Sequence, residues 1–172
     1  MLVTCAATLI DTTLTQLREA GVRNCECVTL WLGRRIGEFT QVEMVFQPTQ
    51  TAREDMFHIP PDAMAALYAK LREYRLMVAA QIHSHPNAAF HSKADDRWAI
   101  VRHEGALSVV VPHFAREITV ERFLEDAKVY QFSTKARWTE VPAAEVPKSW
   151  LRITLPPRPT EKTRQLLRRH LV

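Results

Sequence analysis

Cysteine is scarce in this chain, with three residues among 172: Cys5, Cys25 and Cys27. An odd number excludes a fully paired disulfide framework, and Cys25-x-Cys27 is too close for an ordinary bridge, so the usage points to a reducing cytoplasm. No two cysteines are spaced to close a structural zinc site. Long apolar runs are missing too. The segment Met1–Ile10 is apolar, but it lacks a basic leader, and Asp11 ends it well short of a membrane span. Neither a signal peptide nor a transmembrane helix is expected, and no membrane partner. There is no internal repeat and no low-complexity tract. A strong charge of one sign is also absent: 23 Lys+Arg against 19 Asp+Glu leave a net charge of +4. With a sequence pI of 9.2, that mild excess accommodates an acidic partner without demanding nucleic acid.

What is present is a core. Hydrophobic residues make up 47% of the chain, with no compositional break, which predicts one compact α/β (α+β) domain over residues 1–155. Pro156–Pro159 reads as a stiff break before a basic C-terminal helix or tail, 156–172, in which Arg164, Arg168 and Arg169 lie beside Leu166, Leu167 and Leu171. Asp11 is placed to cap a first helix running to about Ala20, with Leu14 and Leu17 on one face and Gly21 as its stop. Glu26 to Arg34 and Phe39 to Phe46 read as two strands of a hairpin around Arg34–Glu38. Pro60 to Tyr74 is rich in helix formers and carries Met64, Leu67 and Leu71 at helical spacing. Strands are expected at Ala106–Pro112, Glu117–Val120, Lys128–Phe132 and Ser149–Leu155.

The chemistry concentrates between Gln81 and Asp96. Leu76–His83 is the nearly unbroken apolar run of a buried strand. Residues two apart on a strand project the same way, so His83 and His85 can converge on one metal before Pro86 stops the ladder. Ser92-Lys-Ala-Asp95 then opens a short helix, with Ser92 as cap and Asp95 in a first turn that favours a carboxylate. Two neutral imidazoles and one carboxylate leave the fourth tetrahedral position of a zinc ion to water, the pattern of a catalytic site. A His-x-His pair alone is more often packing. The following Pro, the Ser-x-x-Asp and an upstream Glu26 together argue for ligation. His91 offers an all-His alternative as third ligand.

His-x-His-Pro with a following Ser-x-x-Asp resembles the zinc motif of the JAB/MPN family, the JAMM metallopeptidases. Asn24-Cys-Glu-Cys-Val-Thr-Leu-Trp-Leu-Gly33 resembles that family's upstream glutamate on a strand ending in Leu-x-Gly. The resemblance runs from about residue 10 to 115. It implies a mixed β-sheet flanked by helices, of the JAB/MPN-like (cytidine deaminase-like) kind. It further implies one Zn2+ per chain held by His83, His85 and Asp95, Glu26 as general base and Ser92 steadying the oxyanion. The loop from Pro86 to Ser92 is one residue shorter than in many relatives. Counting from the histidines therefore favours Asp96 as ligand, whereas the Ser-x-x-Asp unit favours Asp95.

For function, the resemblance implies a cytoplasmic zinc (iso)peptidase that cuts after the C-terminal glycine of a ubiquitin-like protein, to process a precursor or remove conjugates. The compact length and the Leu-Trp-Leu-Gly strand are similar to bacterial JAB peptidases that accompany ubiquitin-like conjugation enzymes in antiphage operons. E1- and E2-like enzymes are thus the implied partners. The other readings are a catalytically silent MPN scaffold, a nucleic-acid-associated JAB-like protein, and a metallohydrolase of small amides.

Overall fold

In the computed structural model of the chain, residues 2–53 and 57–155 are described. The first element is a strand, β1 (Leu2–Ala6), followed at once by helix α1 (Ala7–Val22). The hairpin is β2 (Val28–Ile36) and β3 (Phe39–Phe46), turned at Gly37, whose φ of 58° is cheap only for glycine. A small pair, β4 (Thr51–Ala52) and β5 (Phe57–His58), precedes α2 (Pro61–Tyr74). Then come β6 (Met77–Ser84), the short helix α3 (Lys93–Trp98) and β7 (Leu107–Val111). One helical turn, α4 (Phe123–Asp126), leads to β8 (Lys128–Phe132), β9 (Trp138–Glu140) and β10 (Leu151–Thr154).

Eight strands form one mixed sheet in the order β10-β1-β3-β2-β6-β7-β8-β9. Its centre, β2, is buried on both faces from Val28 to Gly33. By the period-two rule, Val28, Leu30 and Leu32 face a core shared with Leu67 of α2, while Trp31 faces one shared with Ile10, Leu14 and Leu17 of α1. The Trp31 indole donates to Thr13 Oγ1 at 2.8 Å, so this large ring enters the core with its polar atom satisfied. Gly33 has a separate reason. A Cβ there would stand 2.4 Å from the Gln41 carbonyl oxygen, where the β2–β3 register shifts, so only glycine lets the two backbones approach.

Four readings of the sequence are corrected. Asp11 does not cap the first helix, which begins at Ala7 without a side-chain cap. The apolar stretch before it is β1, and it pairs with residues 39–41 and 151–154. Both partners are distant along the chain, so no hairpin turn announces it. Second, Glu26 and Cys27 precede β2 rather than lying in it. Third, Glu117–Val120 is not a strand. The chain leaves β7 through three consecutive left-handed residues, His113, Phe114 and Ala115, with φ of 53°, 52° and 60°. The Arg18 guanidinium then donates to the carbonyls of Ala115 and Ile118, binding this segment to α1 instead of to a sheet edge. Fourth, Ser149 and Trp150 belong to a π-turn, and β10 starts at Leu151. The expected Pro-rich break and basic helix, 156–172, lie outside the described residues.

Candidate metal centre

The site forms where β6 ends. His83 lies in the strand, opposite Val28 of β2 and Val110 of β7, and is fully buried. His85 continues the ladder past the strand's end through its amide, which donates to the Val111 carbonyl at 2.9 Å. The two rings therefore share a face, with their Nε2 atoms 3.2 Å apart. α3 supplies the carboxylate. Ser92 caps this helix, its Oγ accepting the Asp95 amide at 3.1 Å while Asp95 Oδ2 accepts the Ser92 amide at 2.6 Å. That reciprocal box turns Asp95 inward, 5% exposed, with Oδ1 3.2 Å from His83 Nε2 and Oδ2 3.4 Å from His85 Nε2.

The two Nε2 atoms are 3.2 Å apart, and each lies 3.2–3.4 Å from one carboxylate oxygen, Oδ1 for His83 and Oδ2 for His85. A tetrahedral ion bonded at about 2.0–2.1 Å has edges of about 3.3–3.4 Å between ligand atoms, so this triangle of side chains matches the spacing of such a shell. Among the described residues, His83, His85 and Asp95 are the group able to hold a metal ion. Asp96 is not in it: its side chain is 59% exposed and lies 3.4 Å from His91 Nδ1. Glu26 is buried beside the triangle, Oε1 3.8 Å from His85 Nδ1. Its amide donates to the Arg53 carbonyl at 2.7 Å, and the Cys27 carbonyl accepts from the Ser84 amide at 3.2 Å. Two bonds from separate segments therefore hold the residues around Glu26 at the site.

Comparison with known proteins gives the family. Residues 7–125 match the family described as prokaryotic homologs of the JAB domain. This chain belongs to that family. "Probable metalloprotease y4jG" of Sinorhizobium fredii (strain NBRC 101917 / NGR234) is 33% identical over 139 residues, 78% of this chain and 84% of that protein. The solution structure of protein DSY2949 from Desulfitobacterium hafniense superposes with a TM-score of 0.64 at 19% identity, covering 90% of this chain and 93% of the other. At that identity the likeness is one of fold.

The electrostatics of the JAB domain favour a cation. Burial alone would raise the Asp95 pKa, but hydrogen bonds from His83 and His85 and from the Ser92 amide hold the carboxyl well below its usual range. Burial opposes charging His85 as well, yet its hydrogen bond to Asp95 and the nearby Glu26 charge raise its pKa above the ordinary value. The Asp95 carboxylate and Glu26 thus favour positive charge at this point.

His91 does not join the group formed by His83, His85 and Asp95. Its ring packs against Tyr130 and Trp138, with centroids 5.1 and 5.0 Å away, and burial lowers its pKa to about 4. Ser92 and Glu26 instead open onto a cavity of about 380 Å³ that His85, Pro86, Phe90 and Lys93 also line. Phe90, half exposed, stands edge-on to His85 with centroids 4.7 Å apart. Sequence reasoning left Phe90 unassigned, because an exposed aromatic in a loop carries no periodicity. The Cys27 thiol accepts from Gln47 at 2.9 Å and is pushed up to about 11 by burial, so it is a packing residue and not a nucleophile.

Proposed function

We propose that this JAB domain is a zinc-dependent peptidase or isopeptidase that cleaves after the C-terminal glycine of a ubiquitin-like protein, processing precursors, removing conjugates, or both. The observation that carries the reading is the convergence of His83, His85 and Asp95 beside Glu26 at the edge of the groove. Zinc bound there would lower the pKa of a coordinated water towards about 7 and polarise a carbonyl. Glu26, buried and near His85, would take the proton of the attacking water and return it to the leaving amine. The Ser92 hydroxyl uses a lone pair to accept the Asp95 amide, which leaves its own proton free for the carbonyl oxygen as charge develops there. The largely apolar groove suits a narrow, extended tail.

Several further features rest on the resemblance to bacterial JAB peptidases. They are a cytoplasmic, antiphage ubiquitin-like pathway with E1- and E2-like partners, and zinc as the resident ion. Among the described residues, no helix is long and apolar enough to cross a membrane.

The test uses the full chain loaded with zinc and a ubiquitin-like protein carrying a C-terminal extension past its terminal glycine. Cleavage at that glycine, read by mass spectrometry, is expected for the wild type. Glu26→Gln should retain zinc and lose about 100-fold or more of the rate. Zinc binding without cleavage of any ubiquitin-like fusion or conjugate would turn the reading towards a scaffold.

A further inference from the structure

The ligand Asp95 stands on a helix of six residues, too short to persist unaided. Its N-terminal box involves Asp95 itself, so that box orients the carboxylate without setting its distance from β6. Something must tie α3 to the strand that carries the histidines. We propose that Gln81 is that tie: a positioning residue that sets where Asp95 stands relative to His83 and His85. The proposal rests on the reading of these three residues as a zinc site.

Gln81 is on β6 in step with the histidines, so Gln81, His83 and His85 share one face by the period-two rule. It pairs with Leu30 of β2 on one side and Ser108 of β7 on the other, and is 2% exposed. A carboxamide in such an apolar place is retained only with its hydrogen bonds made. Both ends are engaged. Oε1 accepts the Ile100 amide at 2.9 Å, and Nε2 donates to Ser108 Oγ at 3.2 Å. Ile100 lies just beyond the C-terminal end of α3, and its side chain packs with Val101 on the core under α2. One strand face therefore holds the exit of α3 through Gln81 and receives Asp95 from its entrance through the histidines. Gln81 itself lies outside the ligand set. Its effect on the ion passes through the helix.

The experiment compares wild type, Gln81→Met and Ser108→Ala as full chains. It measures the zinc dissociation constant by chelator competition, metal-free melting, and hydrogen exchange at the Ile100 amide. Gln81→Met keeps the volume but offers no acceptor. It should expose the Ile100 amide to exchange and weaken zinc binding about 10- to 100-fold, the range for residues that orient a metal's ligands. Ser108→Ala keeps the Ile100 bond, so zinc affinity should hold within about threefold even where metal-free melting falls. Gln81→Met binding zinc as tightly as wild type, or Ser108→Ala losing zinc equally, would overturn the proposal. If Gln81→Met fails to fold, Gln81→Asn shortens the tie by one methylene and should weaken zinc likewise; unchanged affinity overturns the proposal. A wild type that binds no zinc would instead bring down the metal reading, and this proposal with it.

Discussion

Replacing Asp95 or Asp96 separately by alanine tests the centre of the argument, because adjacent carboxylates on one short helix are given opposite roles. Asp95 Oδ2 accepts the Ser92 amide at 2.6 Å, and its two oxygens lie 3.2 and 3.4 Å from the two imidazoles. Asp95→Ala removes half of the capping box, at about 0.5–2 kcal/mol. Its buried hydrogen bonds with His83 and His85, which hold the carboxyl below its usual range, go as well, so the metal-free protein should lose about 3 kcal/mol. The zinc-dependent change is larger. Free zinc at about 1,000 times its dissociation constant stabilises the wild type by about 4 kcal/mol. For a chain of this size that is a rise in Tm of about 8–16 °C. Asp95→Ala leaves two ligands and should abolish most of that rise. Asp96→Ala removes a largely exposed carboxylate that touches the buried His91, worth less than about 1 kcal/mol, and should preserve it. The assay is thermal melting with and without zinc, alongside metal content. A full zinc-dependent rise in Asp95→Ala, or its loss in Asp96→Ala, would refute the assignment.

Other consequences are separable. Ser92→Gly should cost only a few tenths of a kcal/mol, because glycine is a tolerable cap, yet should slow turnover about 100-fold by removing the hydroxyl donor; unchanged turnover would return Ser92 to a purely structural role. The raised pKa of His85 gives the metal-free and zinc-loaded proteins opposite pH trends. Without metal, the stabilisation is present below the unfolded value near about 6.5 and is lost as pH rises through the folded pKa. With zinc, protons compete with the ion, so affinity should fall up to about tenfold per pH unit on acidification for each proton displaced. Melting curves across the neutral range with and without zinc check the sign, and parallel slopes would contradict it. Gly33→Ala forces its Cβ against the Gln41 backbone and should destabilise the fold by about 1–3 kcal/mol. Denaturant unfolding measures this, and a neutral result would mean that β3 can shift.

Local signals made several elements readable without coordinates. The 3.6-residue spacing of Met64, Leu67 and Leu71 marked α2, and the expected start at Pro60 lies one residue before the observed Pro61. The β2–β3 hairpin announced itself through the Arg34–Glu38 segment between two patterned stretches, although β2 runs on to Ile36 and the turn itself is at Gly37. His83 and His85 shared a face because strand geometry repeats every two residues. Ser92 was visible as a cap for the same local reason. By contrast, β1 was hidden: its partners β3 and β10 are parallel to it and remote in the chain. Glu117–Val120 had a strand's composition, but the left-handed turn at His113–Ala115 and the Arg18 bonds took it out of the sheet.

The sequence by itself determined the residue types of the candidate metal group, the strand face carrying two imidazoles, and the local box that starts α3, because each depends on neighbours only a few residues away. Between Asp95 and Asp96 it offered two conflicting counts. Only the tertiary structure decided which carboxylate turns inward, since that depends on how α3 lies against β6, to which Gln81 binds the outgoing chain. It also decided that Glu26 sits beside His85, though 59 residues separate them in the sequence. Such convergence is set by strand order and register, which arise from pairing between distant segments and leave no periodic trace in any one of them.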